Sequence, residues 1–239
     1  MSRTFALLLA AAGCATAAPV HPNLPQVESS VVEGTNRFRE SQSRTVLRTH
    51  PELEKAARAF AAYMARTGEL DHEAGGTTPA ARAKAAGYDY CHVAENIARH
   101  YGTAGFTTAD LAQRLVEGWK NSPGHRKNML EEDMVDTAVA VAHRRHDGYE
   151  DFYSVQLFGR PQSASVRFRV RNSGASTVKY RVGDREYELG PRYTRTHTTC
   201  GPSPLDFQSP RRASFKPSRD DCYVVSRSAE ITHARGGCA

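Results

Sequence analysis

The chain has 239 residues, 39% of them hydrophobic and 24% charged, which suits one or two soluble domains with their own cores. No internal stretch reaches the roughly 20 apolar residues of a membrane-spanning helix. The net charge of +6 is unevenly placed: residues 161–239 hold 14 Lys+Arg against 7 Asp+Glu, while the rest is close to neutral. That basic half could lie against an anionic envelope surface. With no recognisable nucleic-acid-binding motif, nucleic acid is not expected as a partner.

The first 18 residues are expected to be a secretory signal. A basic start at Arg3 is followed by an apolar run from Phe5 to Ala12 and small residues to Ala18. Ala11-Ala12-Gly13-Cys14 resembles a bacterial lipobox, which would make Cys14 a lipidated N-terminus and anchor the protein to a membrane. Cleavage near Ala17 or Ala18 would instead release a secreted or periplasmic protein. Four cysteines remain, Cys91, Cys200, Cys222 and Cys238. An even number in an exported chain points to disulfides, and Cys200 with Cys222 is the favoured pair because both lie in one later segment. Cys91 is left to pair with Cys238 or to stay a buried free thiol.

Residues 19–29 are Pro-rich at their start and are expected to be a linker. A domain over 30–160 follows. Val31 to Ser41 has helical character. Pro51 to Thr67 is the clearest helix: Leu53, Ala56, Ala57, Phe60, Ala61 and Met64 recur at spacings of three and four, and Gly68 ends it. Pro79 to Ala86 is a short helix stopped by Gly87. Tyr90 to Ile97 is expected to be extended. Thr108 to Lys120 is a second strong helix, with Leu111, Leu115 and Trp119 on one stripe, and Ser122-Pro123 opens a further turn as N-cap and first helical residue. Val135 to Val141 and Asp151 to Phe158 are strands, joined by a polar turn over His143–Glu150. Helices first and a hairpin after give an α+β layered domain.

After Gly159-Arg160-Pro161 the pattern changes. Val166, Phe168 and Val170 alternate with arginines, and Val178, Tyr180 and Val182 alternate likewise. Further short strands over 187–189, 193–199 and 222–226 predict a small all-β domain over 163–239, with a Pro/Ser/Arg-rich loop at 201–219.

Three patches carry the candidate site: Leu70-Asp71-His72, Ala94-Glu95-Asn96, and Trp119 through His125. Singly, His72 suits a solvated loop and His125 a surface helix position. Glu95 sits among apolar and amide neighbours, where a carboxylate needs a partner because unpaired burial is costly. Together, and with Asn36, Arg39, Asn128-Met129-Leu130 and the strand Tyr153 to Gly159, they resemble the cysteine-rich secretory / antigen 5 / pathogenesis-related (CAP, or SCP-like) family in its short bacterial form. The resemblance covers roughly residues 30–160 and implies a three-layer α-β-α sandwich. It also implies a cleft that gathers two His and two acidic residues and takes lipid, peptide or glycan ligands. His72, Glu95 and His125 match that set. The second acidic position holds Asn121-Ser122 here, with Glu117 as the nearest stand-in.

Two neutral imidazoles suit Zn²⁺ at about 2.0–2.1 Å from nitrogen, and with water completing the shell such an ion would be labile. His72 and His125 are the expected metal ligands, with Glu95, Asn96, Glu117 and Ser122 in the cleft around them. Glu95 is the candidate catalytic residue should the site be hydrolytic. No H-E-x-x-H helix is present. Ser122 fits an N-cap better than a nucleophile. Cys91 and His92 point to opposite strand faces and form no dyad. His143, His146, His197 and His233 are expected to be solvated, for lack of an acidic partner pattern. The favoured expectation is an exported ligand-binding module; a metal- or Glu-dependent hydrolase of peptides or envelope polymers, and a structural surface protein, are the alternatives.

Overall fold

A computed structural model of the protein describes residues 20–201 and 203–238. The signal segment and Cys14 lie outside the described residues. No helix among those residues is long and apolar enough to cross a membrane.

Residues 20–161 form three layers, so the α+β expectation holds. The middle layer is a four-stranded sheet in the order β1-β3-β4-β2, built from β1 (Arg48–Thr49), β2 (Tyr90–Gly102), β3 (Asp136–His146) and β4 (Tyr149–Pro161). Strands β2 and β3 both run antiparallel to β4. Alternation along each strand sends successive side chains to opposite layers. Ile97, Ala138, Ala140, Tyr153, Val155 and Leu157 pack under α2 (Pro51–Thr67) and α3 (Pro79–Ala86). Val139, Val141, Phe152 and Phe158 pack against α1 (Leu24–Ser41), α4 (Thr108–Asn121) and α5 (Pro123–Leu130), which contribute Val27, Val31, Leu111, Leu115, Trp119 and Met129.

Two local expectations are corrected. Helix α1 begins at Leu24, so residues 24–29 of the expected linker are helical. Asn23 caps the helix through Oδ1, which accepts from the Gln26 N–H at 3.1 Å, and Pro25 suits the first turn. The polar turn between β3 and β4 shrinks to Asp147-Gly148, both at positive φ, and the strands continue through His146 and from Tyr149.

The remainder is all-β, as expected. Two four-stranded sheets, in the orders β10-β9-β6-β7 and β12-β11-β5-β8, enclose Phe168, Val170, Tyr180, Leu205, Phe207 and Tyr223. Their strands are β5 (Val166–Asn172), β6 (Val178–Val182), β7 (Arg185–Leu189), β8 (Thr194–Thr199), β9 (Leu205–Ser209), β10 (Ala213–Phe215), β11 (Asp221–Val225) and β12 (Ile231–Arg235). Strands β9 and β10 fall inside the expected loop at 201–219. Their signal is short, with only Leu205 and Phe207 buried at alternate positions on β9.

The favoured cysteine pair is overturned: the disulfides are Cys91–Cys200 and Cys222–Cys238. Strand β11 brings Cys222 opposite Ala234 on β12, so the chain just beyond β12 carries Cys238 to it. Cys200, at the end of β8, reaches β2 instead and ties the sandwich to the layered domain. Arg219 adds hydrogen bonds from the sandwich to the carbonyls of Ser163 and Ser165.

Candidate functional site

The site is built at β2, the edge strand of the central sheet. Because β2 pairs only with β4, backbone carbonyls on its free side need other partners. Asn128 on α5 donates to the Glu95 carbonyl at 3.1 Å, and the Trp119 indole on α4 donates to the Ile97 carbonyl at 3.3 Å. These two bonds hold α4 and α5 against the edge. The Asn96 side chain turns to the same helices: its Oδ1 accepts from Asn128 at 2.9 Å and its Nδ2 donates to the His125 carbonyl at 3.2 Å. Asn96 therefore fixes the backbone that carries His125.

Glu95, one residue earlier, points to the opposite layer. Its side chain is 1% exposed, and each oxygen has a cationic or imidazole partner. His72 Nδ1–H donates to Oε1 at 2.9 Å, and Arg82 on α3 donates to Oε2 at 2.7 Å. Arg82 also donates to the His72 carbonyl at 3.1 Å, and its guanidinium lies 3.4 Å from the centre of the Phe60 ring on α2. One guanidinium thus orients the carboxylate and the loop that carries the histidine. Arg82 escaped the sequence reading. It sits in a short Ala-rich helix, and a lone arginine there looks like any solvated helix position.

The two histidines differ electrically. The hydrogen bond that His72 donates to Glu95 raises its imidazole above the ordinary range, against the opposing effect of its partial burial. Burial lowers His125, and the nearby His72 charge lowers it further. His72 is 48% exposed, with Nδ1 committed to Glu95, so Nε2 is the nitrogen left for a ligand. The histidines come from opposite layers, His72 from the loop after α2 and His125 from α5.

The other expected residues fall as follows. Glu117 pairs with Lys120 at 2.7 Å, three residues along α4, with its side chain 48% exposed. Ser122 holds the N-cap position of α5 in extended conformation, but its side chain makes no capping hydrogen bond; Pro123 starts the helix. Three histidines expected in solvent have acidic or phenolic partners. His143 Nε2 lies 2.5 Å from Glu150, His233 Nε2 lies 3.0 Å from Asp221, and His197 is buried with Nε2 2.9 Å from the Tyr180 hydroxyl. In each case a strand pairing or sheet packing absent from the linear sequence supplies the partner. Arg39, fully buried, donates to the carbonyls of Thr45, Met129 and Glu131 and so braces α5 from behind.

Beside the site lies an apolar cavity of about 370 Å³ between α2 and α3, lined by Ala56, Ala59, Phe60, Tyr63, Ala86 and Arg82. Arg82 is common to the cavity wall and the Glu95 pair.

A family model described as the cysteine-rich secretory protein family (CAP) matches residues 32–158, just over half of the chain. The uncharacterized protein YkwD of Bacillus subtilis is 33% identical over 113 residues, covering 47% of this chain and 41% of YkwD, so the match spans less than half of that relative. Among solved structures, an outer surface protein of Borrelia burgdorferi is similar with a TM-score of 0.46 at 22% identity, covering 56% of this chain and 91% of that one. An extracellular protein containing an SCP domain from Bacillus anthracis matches with a TM-score of 0.45 at 23% identity, covering 57% of this chain and 41% of that one.

Proposed function

Because this chain belongs to the CAP, or cysteine-rich secretory protein, family, we propose that it is an exported binding protein whose edge-strand cleft takes a ligand with an apolar chain, assisted by a labile divalent metal. Export is supported by the basic-then-apolar start of the sequence and by the paired cysteines. Supporting the ligand class is the continuity of chemistry through Arg82. One end of that side chain orders Glu95 and His72, and its other face walls a cavity whose remaining lining is mostly Ala and aromatic. Lipid is favoured over peptide or glycan because few polar groups converge on that cavity.

The donor chemistry of His72 and His125 suits a two-imidazole zinc site. His72 has its Nδ1 held by a carboxylate, the arrangement that fixes a metal-binding tautomer and leaves Nε2 outward. His125 stays neutral to lower pH than an ordinary histidine, as a ligand must. Glu95 has both oxygens engaged, so it orients rather than ligates. A bound Zn²⁺ would supply a Lewis-acid point for the polar end of the ligand. Burial of Glu95, 1% exposed behind its two partners, argues against it as a general base, which must reach a substrate proton. The exposed arginines of the C-terminal sandwich, Arg167 among them, support a role against an anionic surface.

The observation that carries this reading is the His72–Glu95–Arg82–Phe60 chain. Its test is titration of the protein with a fluorescent fatty acid, with and without Zn²⁺. Saturable binding is expected, strengthened by Zn²⁺ in wild type but not in His72→Ala/His125→Ala, and lost in Phe60→Asp. Equal binding in all three proteins, or none in wild type, sinks the proposal.

A further inference from the structure

A second cluster of metal-binding side chains lies at the far end of the sheet, at the β3–β4 hairpin. His21, His143 and Glu150 place one potential ligand atom each within 4.8 Å of one another, and among the described residues they are the grouping of three His, Cys, Asp or Glu side chains that meets that spacing. We propose that these three residues form a Zn²⁺ site, separate from the cleft, that fastens the segment before α1 to the hairpin.

Each ligand is held in place by independent structure. His143 and Glu150 sit on adjacent strands of the tight hairpin, with Nε2 and Oε2 2.5 Å apart. The His143 ring packs on Phe152, with ring centres 4.8 Å apart, which fixes its orientation. His21 is pinned from both sides in sequence. Val20 bridges to Gly105, donating to the Ala104 carbonyl at 2.9 Å and accepting from the Phe106 N–H at 3.1 Å. Asn23 caps α1, and its own N–H donates to Thr108 Oγ1 at 2.9 Å. Between these anchors the His21 ring stands edge-on to His143, with ring centres 5.4 Å apart.

Glu150 supplies a second, independent sign. Its side chain is 1% exposed, yet Oε1 accepts no hydrogen bond. Arg145 Nε approaches Oε1 only to 3.4 Å, and the Arg145 side chain is 68% exposed and free to swing into solvent. A buried carboxylate oxygen without a hydrogen bond is costly unless a cation completes it. Two imidazoles and one carboxylate are the donor set of open zinc sites, with water in the fourth position. Ligand atoms in such a tetrahedron stand about 3.3 Å apart at zinc distances near 2.05 Å. His143 and Glu150 already face each other at 2.5 Å, so an ion between them widens that pair by under about 1 Å, and the exposed His21 side chain turns to complete the set.

The test must not read the cleft. Zn²⁺ is titrated by calorimetry into the His72→Ala/His125→Ala protein, and Co²⁺ into the same protein with visible absorption as the readout. One equivalent of bound Zn²⁺ and the absorption bands of low-coordinate cobalt are expected. Adding His21→Ala should abolish both while leaving the metal-free melting temperature unchanged, since His21 is exposed and its backbone anchors remain. Glu150→Gln, with its fold checked by circular dichroism, should also remove the bands. Absence of Zn²⁺ binding in the cleft-deleted protein, or binding indifferent to His21→Ala, overturns the proposal.

Discussion

His72 in the layered domain and His197 in the C-terminal sandwich are the same residue type put to opposite uses. His72 is half exposed at the edge of a sheet, and a buried carboxylate holds it toward its charged form. His197 is 6% exposed, stacks on Phe168 with ring centres 5.2 Å apart, touches the Tyr180 hydroxyl, and is pushed down to about 4 by burial. The layered domain uses a buried charge pair to hold a half-exposed imidazole, the one that the proposed function gives to a ligand. The sandwich hides an imidazole as a polar aromatic that fills space. Partner and solvent, not residue type, decide which role a histidine takes.

The sharpest way to break this contrast is to remove the charge that balances buried Glu95. Glu95 is tolerated in the interior because Arg82 neutralises it. Arg82→Ala leaves a carboxylate with one half-exposed histidine as its partner. The expected cost is about 3–5 kcal/mol of stability, read by chemical denaturation. Arg82→Met with Glu95→Gln should recover much of that loss, because the removed charges no longer need each other. A cost below about 1 kcal/mol for Arg82→Ala would mean that Glu95 is hydrated and that the ion pair does not order His72.

The sandwich gives the next largest effect. Its buried His197 must stay neutral, while in the unfolded chain it takes a proton near pH 6.5. Between pH 6.5 and about 4 the unfolded state binds more protons, so stability falls as pH falls through that window. The full difference corresponds to about 3 kcal/mol. His197→Gln keeps an acceptor for Tyr180 and removes the titration, so its stability should be flat over the same window. Parallel pH profiles for wild type and His197→Gln would show that this histidine is hydrated and that the contrast with His72 is false.

How much of this was legible beforehand follows from the range of the interactions. Helices α2 and α4 were readable because their apolar spacing is local, and so was the layered domain that they cover. The trio of His72, Glu95 and His125 was readable only as a resemblance, since three patches tens of residues apart carry no geometry of their own. Arg82 was not readable, because its meaning lies in a carboxylate 13 residues away on another element. The cysteine pairing failed for the same reason: nearness in sequence favoured Cys200 with Cys222, whereas strand order placed Cys200 beside β2. His197 reads as solvated because sheet packing, not chain neighbours, buries it against Tyr180, while His143 is exposed as expected and gains Glu150 only through its strand neighbour. Strands β9 and β10 were missed because Pro and Ser around them outweigh two buried side chains.

The smallest effect tests the cleft histidines directly, through the pH dependence of Zn²⁺ binding in the His21→Ala background. A protonated imidazole cannot hold a metal, so apparent affinity falls about tenfold per pH unit once a single ligand titrates. His72 is raised above 6.5 by Glu95, and His125 is lowered by burial. The sign follows: on acidification His72 is protonated first, and affinity should begin to fall above pH 6.5, with a second decline at lower pH as His125 follows. Stability has the opposite dependence, since the His72⁺–Glu95 pair is fully present below pH 6.5 and its contribution is lost as pH rises through the raised value. That contribution is small, about 0.5 kcal/mol, because His72 is 48% exposed. Glu95→Gln should move the first decline in affinity to lower pH, and should weaken binding at neutral pH by about 10- to 100-fold as the ring loses its orienting partner. The two shifts separate orientation from electrostatics: a variant that weakens neutral-pH binding without moving the decline would leave Glu95 as a positioning group whose charge the metal site never feels.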